Sequence, residues 1–213
     1  MAVLRNFAVF EGGDGSGTST QLEILSRKFR DVSAGLPNAV FTFEPTDGAV
    51  GCLLREALRG KIKLRGETMA RLFSADRVEH LYGEDGIVPL LQRGSFVVCD
   101  RYTLSSRVYQ GIECGNELPA SLNKDFPAPE LILFFDIDPE LAFERLAKRA
   151  KKDVYESADF QRRVRERYLC LLDSCRSEGS RVAVIDAAGP VDRVAEAVWQ
   201  NIAEMPIIKG CIG

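Results

Sequence analysis

The segment Phe10-Glu11-Gly12-Gly13-Asp14-Gly15-Ser16-Gly17-Thr18-Ser19-Thr20-Gln21 constrains this chain more than any other. Before it, Val3-Leu4-Arg5-Asn6-Phe7-Ala8-Val9-Phe10 is largely apolar and suits a buried first strand; from Thr18 onward the apolar spacing is helical. A strand, a glycine-rich loop and a helix in that order turn backbone amides toward one point. The unpaired N–H groups of the helix start add partial positive charge there. The pattern G-x-x-x-x-G-K-[ST] is met by Gly12, Gly17 and Ser19, but Thr18 holds the lysine position. Gly12, Gly13, Gly15, Ser16, Gly17, Thr18, Ser19 and Thr20 therefore read as a phosphate cradle, with the Ser19 hydroxyl suited to a magnesium ion. What is lacking is the ammonium group that bridges the outer phosphates. A charge-assisted hydrogen bond is worth roughly 1.5–3 kcal/mol, so its uncompensated loss costs about tenfold to a few hundredfold in rate. A glycine-rich turn that binds nothing is the plain alternative.

With 213 residues and 46% apolar content the chain is long enough to bury a core as one domain spanning 1–213, and no linker interrupts it. A net charge of −3 argues against a general nucleic-acid binder. Cys52, Cys99, Cys114, Cys170, Cys175 and Cys211 lack zinc-ligand spacing and read as reduced thiols of a cytoplasmic protein. The first apolar run carries Arg5 and ends in the glycine loop, so it is neither a signal peptide nor a membrane span.

Strands and helices then alternate. Ala39–Phe43 reads as a second strand closed by the turn Glu44-Pro45-Thr46-Asp47-Gly48. Helices are expected at about 49–59, 67–82 and 84–93, and further strands at Ser95–Cys99, Leu131–Asp136 and Arg181–Asp186. The fold class is α/β: three layers, a five-stranded parallel sheet with helices on both faces and a short basic lid at about 145–157. Ligands of such sheets lie beyond the C-terminal strand ends, where every candidate motif here falls.

Together the loop at 11–21, Glu44-Pro45, Leu72-Phe73-Ser74-Ala75-Asp76-Arg77-Val78-Glu79-His80, Asp100-Arg101-Tyr102, Ser105-Ser106 with Tyr109-Gln110, and Val184-Ile185-Asp186-Ala187 resemble the thymidylate kinase family over about residues 3–200. The resemblance implies transfer of the ATP γ-phosphoryl group to dTMP with Mg2+, by a homodimer. It implies that Phe73 stacks on thymine and that Arg77, one turn later on the same face, donates to a base carbonyl. Ser106 matches a contact to the pyrimidine edge, Tyr109 one that packs on the sugar, and Gln110 a nearby polar contact. Asp14 matches the carboxylate facing the sugar 3′-hydroxyl, Arg101 the acceptor-phosphate arginine, and Asp100 a carboxylate near the metal. Pro45 lines the acceptor site and Ala187 the ATP site. Asp100-Arg101 at a strand end also fits a structural ion pair, and Phe73 a core aromatic. His80 has no partner in sequence and reads as a helix-face residue.

The chain departs from the family pattern in three places. Thr18 replaces the lysine; Phe43 stands where many members carry arginine, with Arg55 the substitute donor; and Val154 follows Asp153 in the lid where arginine is frequent. The lid segment Arg145–Glu156 stays basic, as a closing element over phosphates requires. Arg149 resembles the arginine that stacks on adenine, and Lys151 or Lys152 reaches the transferring phosphate. Three other functions remain open at this point: a deoxynucleoside kinase, a silent nucleotide-binding module, and a structural domain with no ligand.

Overall fold

The computed structural model describes residues 2–31, 35–147 and 158–212. Strand β1 (Val3–Gly12) leads through the glycine loop into α1 (Thr18–Asp31), followed by β2 (Ala39–Phe43), α2 (Ala49–Leu58), α3 (Gly66–Tyr82) and α4 (Ile87–Gln92). Next come β3 (Phe96–Asp100), α5 (Thr103–Cys114), α6 (Glu117–Asn123), β4 (Ala128–Asp136) and α7 (Pro139–Ala147). Helix α8 (Ala158–Ser177), β5 (Arg181–Asp186), α9 (Val191–Ala203) and α10 (Pro206–Ile212) complete the order. The five strands form one parallel sheet in the order β2-β3-β1-β4-β5.

Side chains alternate across this sheet because successive residues of a strand point to opposite faces. Ala8 and Phe10 join Phe96, Val98, Leu131, Leu133 and Phe135 on one face, packed against Leu25 and Phe29 of α1 and Val194, Val198 and Ile202 of α9. On the other face Phe7, Val9, Val97 and Cys99 meet Leu81, Ile87 and Tyr102. There also Ile132 and Phe134 meet Leu104, Val108, Tyr168 and Leu172 of α5 and α8. Both faces are covered, as continuous apolar strands demand. Each Val, Leu, Ile or Phe among them contributes about 1.5–3 kcal/mol on full burial.

Register aligns the strand ends that carry the chemistry. Phe10 lies opposite Asp100, Phe43 opposite the same Asp100, and Gly12 opposite Phe135. The third strand therefore runs one residue further than its apolar run suggests, which puts Asp100 inside the sheet. The fourth begins at Ala128 and includes Pro129, although a central strand ordinarily rejects proline. Its missing N–H is tolerated because β1 bulges there: the pairing shifts between Leu4 and Ala8, and Asn6 takes φ 62° with its N–H on Glu130 Oε2 at 2.7 Å. The helix expected at about 84–93 starts only at Ile87, because Gly83–Gly86 closes as a turn (Gly86 N–H to Gly83 O, 2.9 Å). All six cysteines are free thiols, and burial pushes those of Cys99 and Cys175 up, the latter to about 12. Among the described residues no helix is long and apolar enough to cross a membrane. Of the expected lid, Arg145 belongs to α7, while Arg149, Lys151, Lys152 and Val154 lie outside the described residues.

Candidate active site

The glycine loop joins the end of β1 to the start of α1 through two left-handed residues, Gly15 (φ 84°) and Gly17 (φ 94°). A Cβ on Gly15 would also stand 2.6 Å from the Ala142 carbonyl of α7, so the site tolerates no side chain. The Ser16 N–H donates to Gly13 O at 3.2 Å and Gln21 N–H to Gly17 O at 3.0 Å, which folds the loop over the first turn of α1. Thr18 is buried in this turn, whereas Ser19 and Thr20 are exposed. Ser19 Oγ donates to Asp100 Oδ2 at 2.6 Å, joining the helix start to the end of β3. The other oxygen, Asp100 Oδ1, is buried with no hydrogen-bond partner among the described residues.

Asp14 is held from two sides. Arg101 Nη2 donates to Asp14 Oδ1 at 2.6 Å, and Gln161 Nε2 to Asp14 Oδ2 at 2.9 Å. The Gln161 Oε1 in turn accepts from the Asp14 N–H at 3.0 Å, so one amide of α8 grips both the backbone and the side chain of the loop residue. Arg101 has φ 71°, a conformation costing a non-glycine residue of order 1–3 kcal/mol. Its N–H donates to Phe10 O at 2.8 Å, and its guanidinium lies over the Tyr109 ring at 5.1 Å. The twist at Arg101 is what carries a strand-end side chain back over the glycine loop.

Beside this pair opens a cleft of about 270 Å³. The chain after β2 contributes Pro45, β2 itself Phe43, α2 Arg55, and α3 Phe73 and Arg77. Arg101 and Asp14 close one end, and α5 supplies Ser106, Tyr109 and Gln110. Every residue expected at the acceptor site thus borders the same cavity, although they span sequence positions 14 to 110.

Their engagements differ. Phe43 is 41% exposed and offers an apolar rim. Arg55 donates to Pro45 O at 2.7 Å and to Asp47 Oδ1 at 2.8 Å, so it braces the loop at the cleft's edge. Arg77 is fully buried. Its Nε and Nη2 donate to Glu44 Oε2 at 3.0 and 2.6 Å, Nη2 also to Ser106 Oγ at 3.0 Å, and Nη1 to Asn123 Oδ1. A guanidinium has five N–H groups, so among the described residues these four bonds leave one on Nη1 without a partner, on a side chain that lines the cleft. His80 corrects the expectation drawn for it. Rather than a helix-face residue without partners, its Nδ1 pairs with Glu44 Oε1 at 3.1 Å and its Nε2 with Thr42 Oγ1 at 2.7 Å. The partners come from β2 and the chain just after it, remote in sequence, which is why periodicity alone did not reveal them.

Glu11 and Gln161 also escaped the sequence reading. Glu11 is fully buried, with Oε1 accepting from Tyr102 N–H (3.0 Å) and Ser105 N–H (3.3 Å), and Oε2 from Ser105 Oγ (2.5 Å) and Tyr168 Oη (3.0 Å). Burial raises its pKa, against the lowering effect of these bonds and of Arg101 nearby. A glutamate between Phe10 and Gly12 in an apolar strand was a readable signal; Gln161 on α8 carries none. On the opposite side of the loop, Arg145 Nη1 donates to Ala187 O at 2.9 Å and Nη2 to Ala188 O at 3.1 Å. Ala187 is buried and fixed through its N–H to Asp136 O at 2.8 Å.

The oxygen set of Ser19 and Asp100 fits magnesium, a hard cation that takes one or two carboxylates and completes its shell with water and phosphate oxygens. The unpartnered Asp100 Oδ1 is the observation that supports it. Among the described residues no group of three or more His, Cys, Asp or Glu side chains could hold a metal by itself.

Residues 10–198 match the family model described as thymidylate kinase. A Treponema pallidum (strain Nichols) protein bearing the thymidylate kinase name is 39% identical over 212 residues, covering 98% of this chain and all of that one. Another of that name from Pyrobaculum aerophilum is 37% identical over 205 residues, covering 95% and 99%. The solved thymidylate kinase of Candida albicans superposes with a TM-score of 0.75 at 27% identity, over 93% of this chain and 91% of that one. This chain belongs to the thymidylate kinase family.

Proposed function

We propose that the chain transfers the γ-phosphoryl group of ATP to the phosphate of dTMP, giving dTDP and ADP. The observation that carries this reading is the cleft beside the glycine loop, walled by Phe73, Arg77 and Tyr109 and closed toward the loop by Arg101 on Asp14.

Phosphoryl transfer through a loose transition state asks for alignment and positive charge rather than covalent help. In this reading the loop amides from Gly12 to Thr20 hold the ATP phosphates, and Ala187 borders its base. Phe73 stacks on thymine, the remaining Arg77 N–H reaches a base carbonyl beside Ser106, and Tyr109 packs on the sugar with Gln110 adjacent. Arg101 and Arg55 bind the acceptor phosphate and aim its oxygen, while Asp14 faces the 3′-hydroxyl. Magnesium held by Ser19 and Asp100 would neutralise charge on the phosphate oxygens. Arg149 and Lys152 supply the charge that Thr18 does not. Since the acceptor is an ionised phosphate, no strong general base is required.

A deoxynucleoside kinase would need a carboxylate to take a proton from a sugar hydroxyl. The carboxylates lining this cleft, Asp14 and Glu44, are both engaged by arginines, which favours an anionic acceptor. The test is label transfer from γ-labelled ATP with and without magnesium. The reading expects labelled dTDP only with dTMP and magnesium together; release of label to water alone would contradict it.

A further inference from the structure

Glu44 sits at the centre of a buried chain of polar contacts that the reaction itself does not use. Its Oε2 takes both Arg77 donors and its Oε1 faces His80 Nδ1, while His80 Nε2 faces Thr42 Oγ1. The side chains of Glu44 and Arg77 are 2% and 1% exposed and that of His80 is 9% exposed, so little of the group meets solvent. Phe73, Arg77 and His80 fall at i, i+4 and i+7 on α3 and share one face. The same helix holds the following turn: Asp76 Oδ1 and Oδ2 accept from Thr46 Oγ1 at 2.6 Å and Thr46 N–H at 2.7 Å.

A carboxylate with two oxygens can rotate about its terminal torsion, which is broad. If Oε1 were left without a partner, Glu44 would turn, and the guanidinium clamped on Oε2 would turn with it. Among the described residues one N–H, on Nη1, is left after the four bonds of Arg77, so a small rotation of the guanidinium shifts that donor. His80 prevents this by fixing Oε1, and Thr42 fixes the imidazole.

We propose that His80 is a positioning residue for acceptor-base recognition, acting through Glu44 to aim the remaining Arg77 N–H at the base. This rests on the reading of Arg77 as a base contact.

The test compares His80→Asn, His80→Gln and His80→Ala. An asparagine amide nitrogen falls near the place of Nδ1 and keeps the contact to Glu44; that of glutamine falls near Nε2 and does not. His80→Gln and His80→Ala should raise KM for dTMP about tenfold, leave kcat and KM for ATP within about twofold, and narrow the preference for dTMP over dCMP by a similar factor. His80→Asn should stay within about threefold of the unmodified protein in KM. Thr42→Val should raise KM in the same direction by less and add little on top of His80→Ala. Equal effects of Asn and Gln, or equal loss of kcat and of thermal stability across the series with no change in KM, would overturn the proposal while leaving the acceptor assignment intact. Should His80→Ala not fold, the Asn and Gln variants carry the comparison. An unmodified protein without dTMP turnover would overturn the acceptor reading and the positioning role together.

Discussion

Arg101, at the C-terminal end of the β3 strand, places its Nη2 2.6 Å from Asp14 Oδ1 in the glycine loop, so the two halves of the site are tied by one ion pair between residues 87 positions apart. The pair keeps about one quarter of each side chain in solvent, and Asp14 retains the Gln161 amide as a second partner, so loss of the guanidinium does not strand the carboxylate. Its worth lies in where it holds the guanidinium.

Arg101→Ala should therefore lower kcat/KM for dTMP by about tenfold to a hundredfold, the equivalent of one charge-assisted contact, with a small shift in Tm. Arg101→Lys should recover little, because a lysine cannot reproduce the planar fork over Tyr109. Steady-state kinetics and a melting curve on the same preparations check both. A fall in Tm as large as that of a core truncation would return Arg101 to a structural ion pair.

Arg77→Ala should behave differently. Removing one partner of a buried pair leaves Glu44 with His80 as its one remaining partner among the described residues and Oε2 without its donors, at a cost of about 3–5 kcal/mol. The variant should melt well below the unmodified protein in addition to losing dTMP affinity, and a denaturant titration measures the difference. The pairing with Glu44 is what separates this outcome from the simple rise in KM that a sequence reading of Arg77 alone suggests.

Burial raises the pKa of Glu11 above its unfolded value, and the sign of the linkage follows. Between the two pKa values the folded chain binds more protons than the unfolded one, so this residue's contribution to stability falls as pH rises through that window. The neutral form stabilises on the acid side. Glu11→Gln, which keeps neutral side-chain acceptors and donors at the α5 helix start, should gain stability relative to the unmodified protein as pH rises from about 4.5 to 8. Melting curves across that range give the difference, and a difference that shrinks with rising pH would contradict the assignment.

Thr18→Lys should raise kcat, and it should partly rescue Lys152→Ala if both cations serve the same phosphate oxygens. The double-mutant cycle on kcat/KM at saturating magnesium shows this as non-additivity. Strict additivity would mean that Thr18 and the lid act on separate groups.

Much of this arrangement was legible in the chain. The glycines from 12 to 17 and the apolar runs named the strands and the edge where they end, because both signals are local. The residues from Phe73 to Gln110 that the resemblance assigns to an acceptor site all border one cleft. What stayed hidden depends on contacts across long separations. His80 meets residues some 36–38 positions earlier, Gln161 reaches Asp14 over 147 positions, and the Pro129 register depends on a bulge in β1. The third strand ends at Asp100 rather than Cys99 because pairing with Phe10 and Phe43, not hydrophobicity, sets its length.

On the proposed function, the cleft between α3 and α5 selects a thymine nucleotide and presents its phosphate to the glycine loop. Initial rates with ATP, magnesium and dTMP, dUMP, dCMP or dGMP in turn test it most directly. The highest kcat/KM is expected for dTMP, with dCMP and dGMP lower by about a hundredfold or more because each leaves buried polar groups unpaired. Comparable rates on all four acceptors, or none on dTMP, would contradict it.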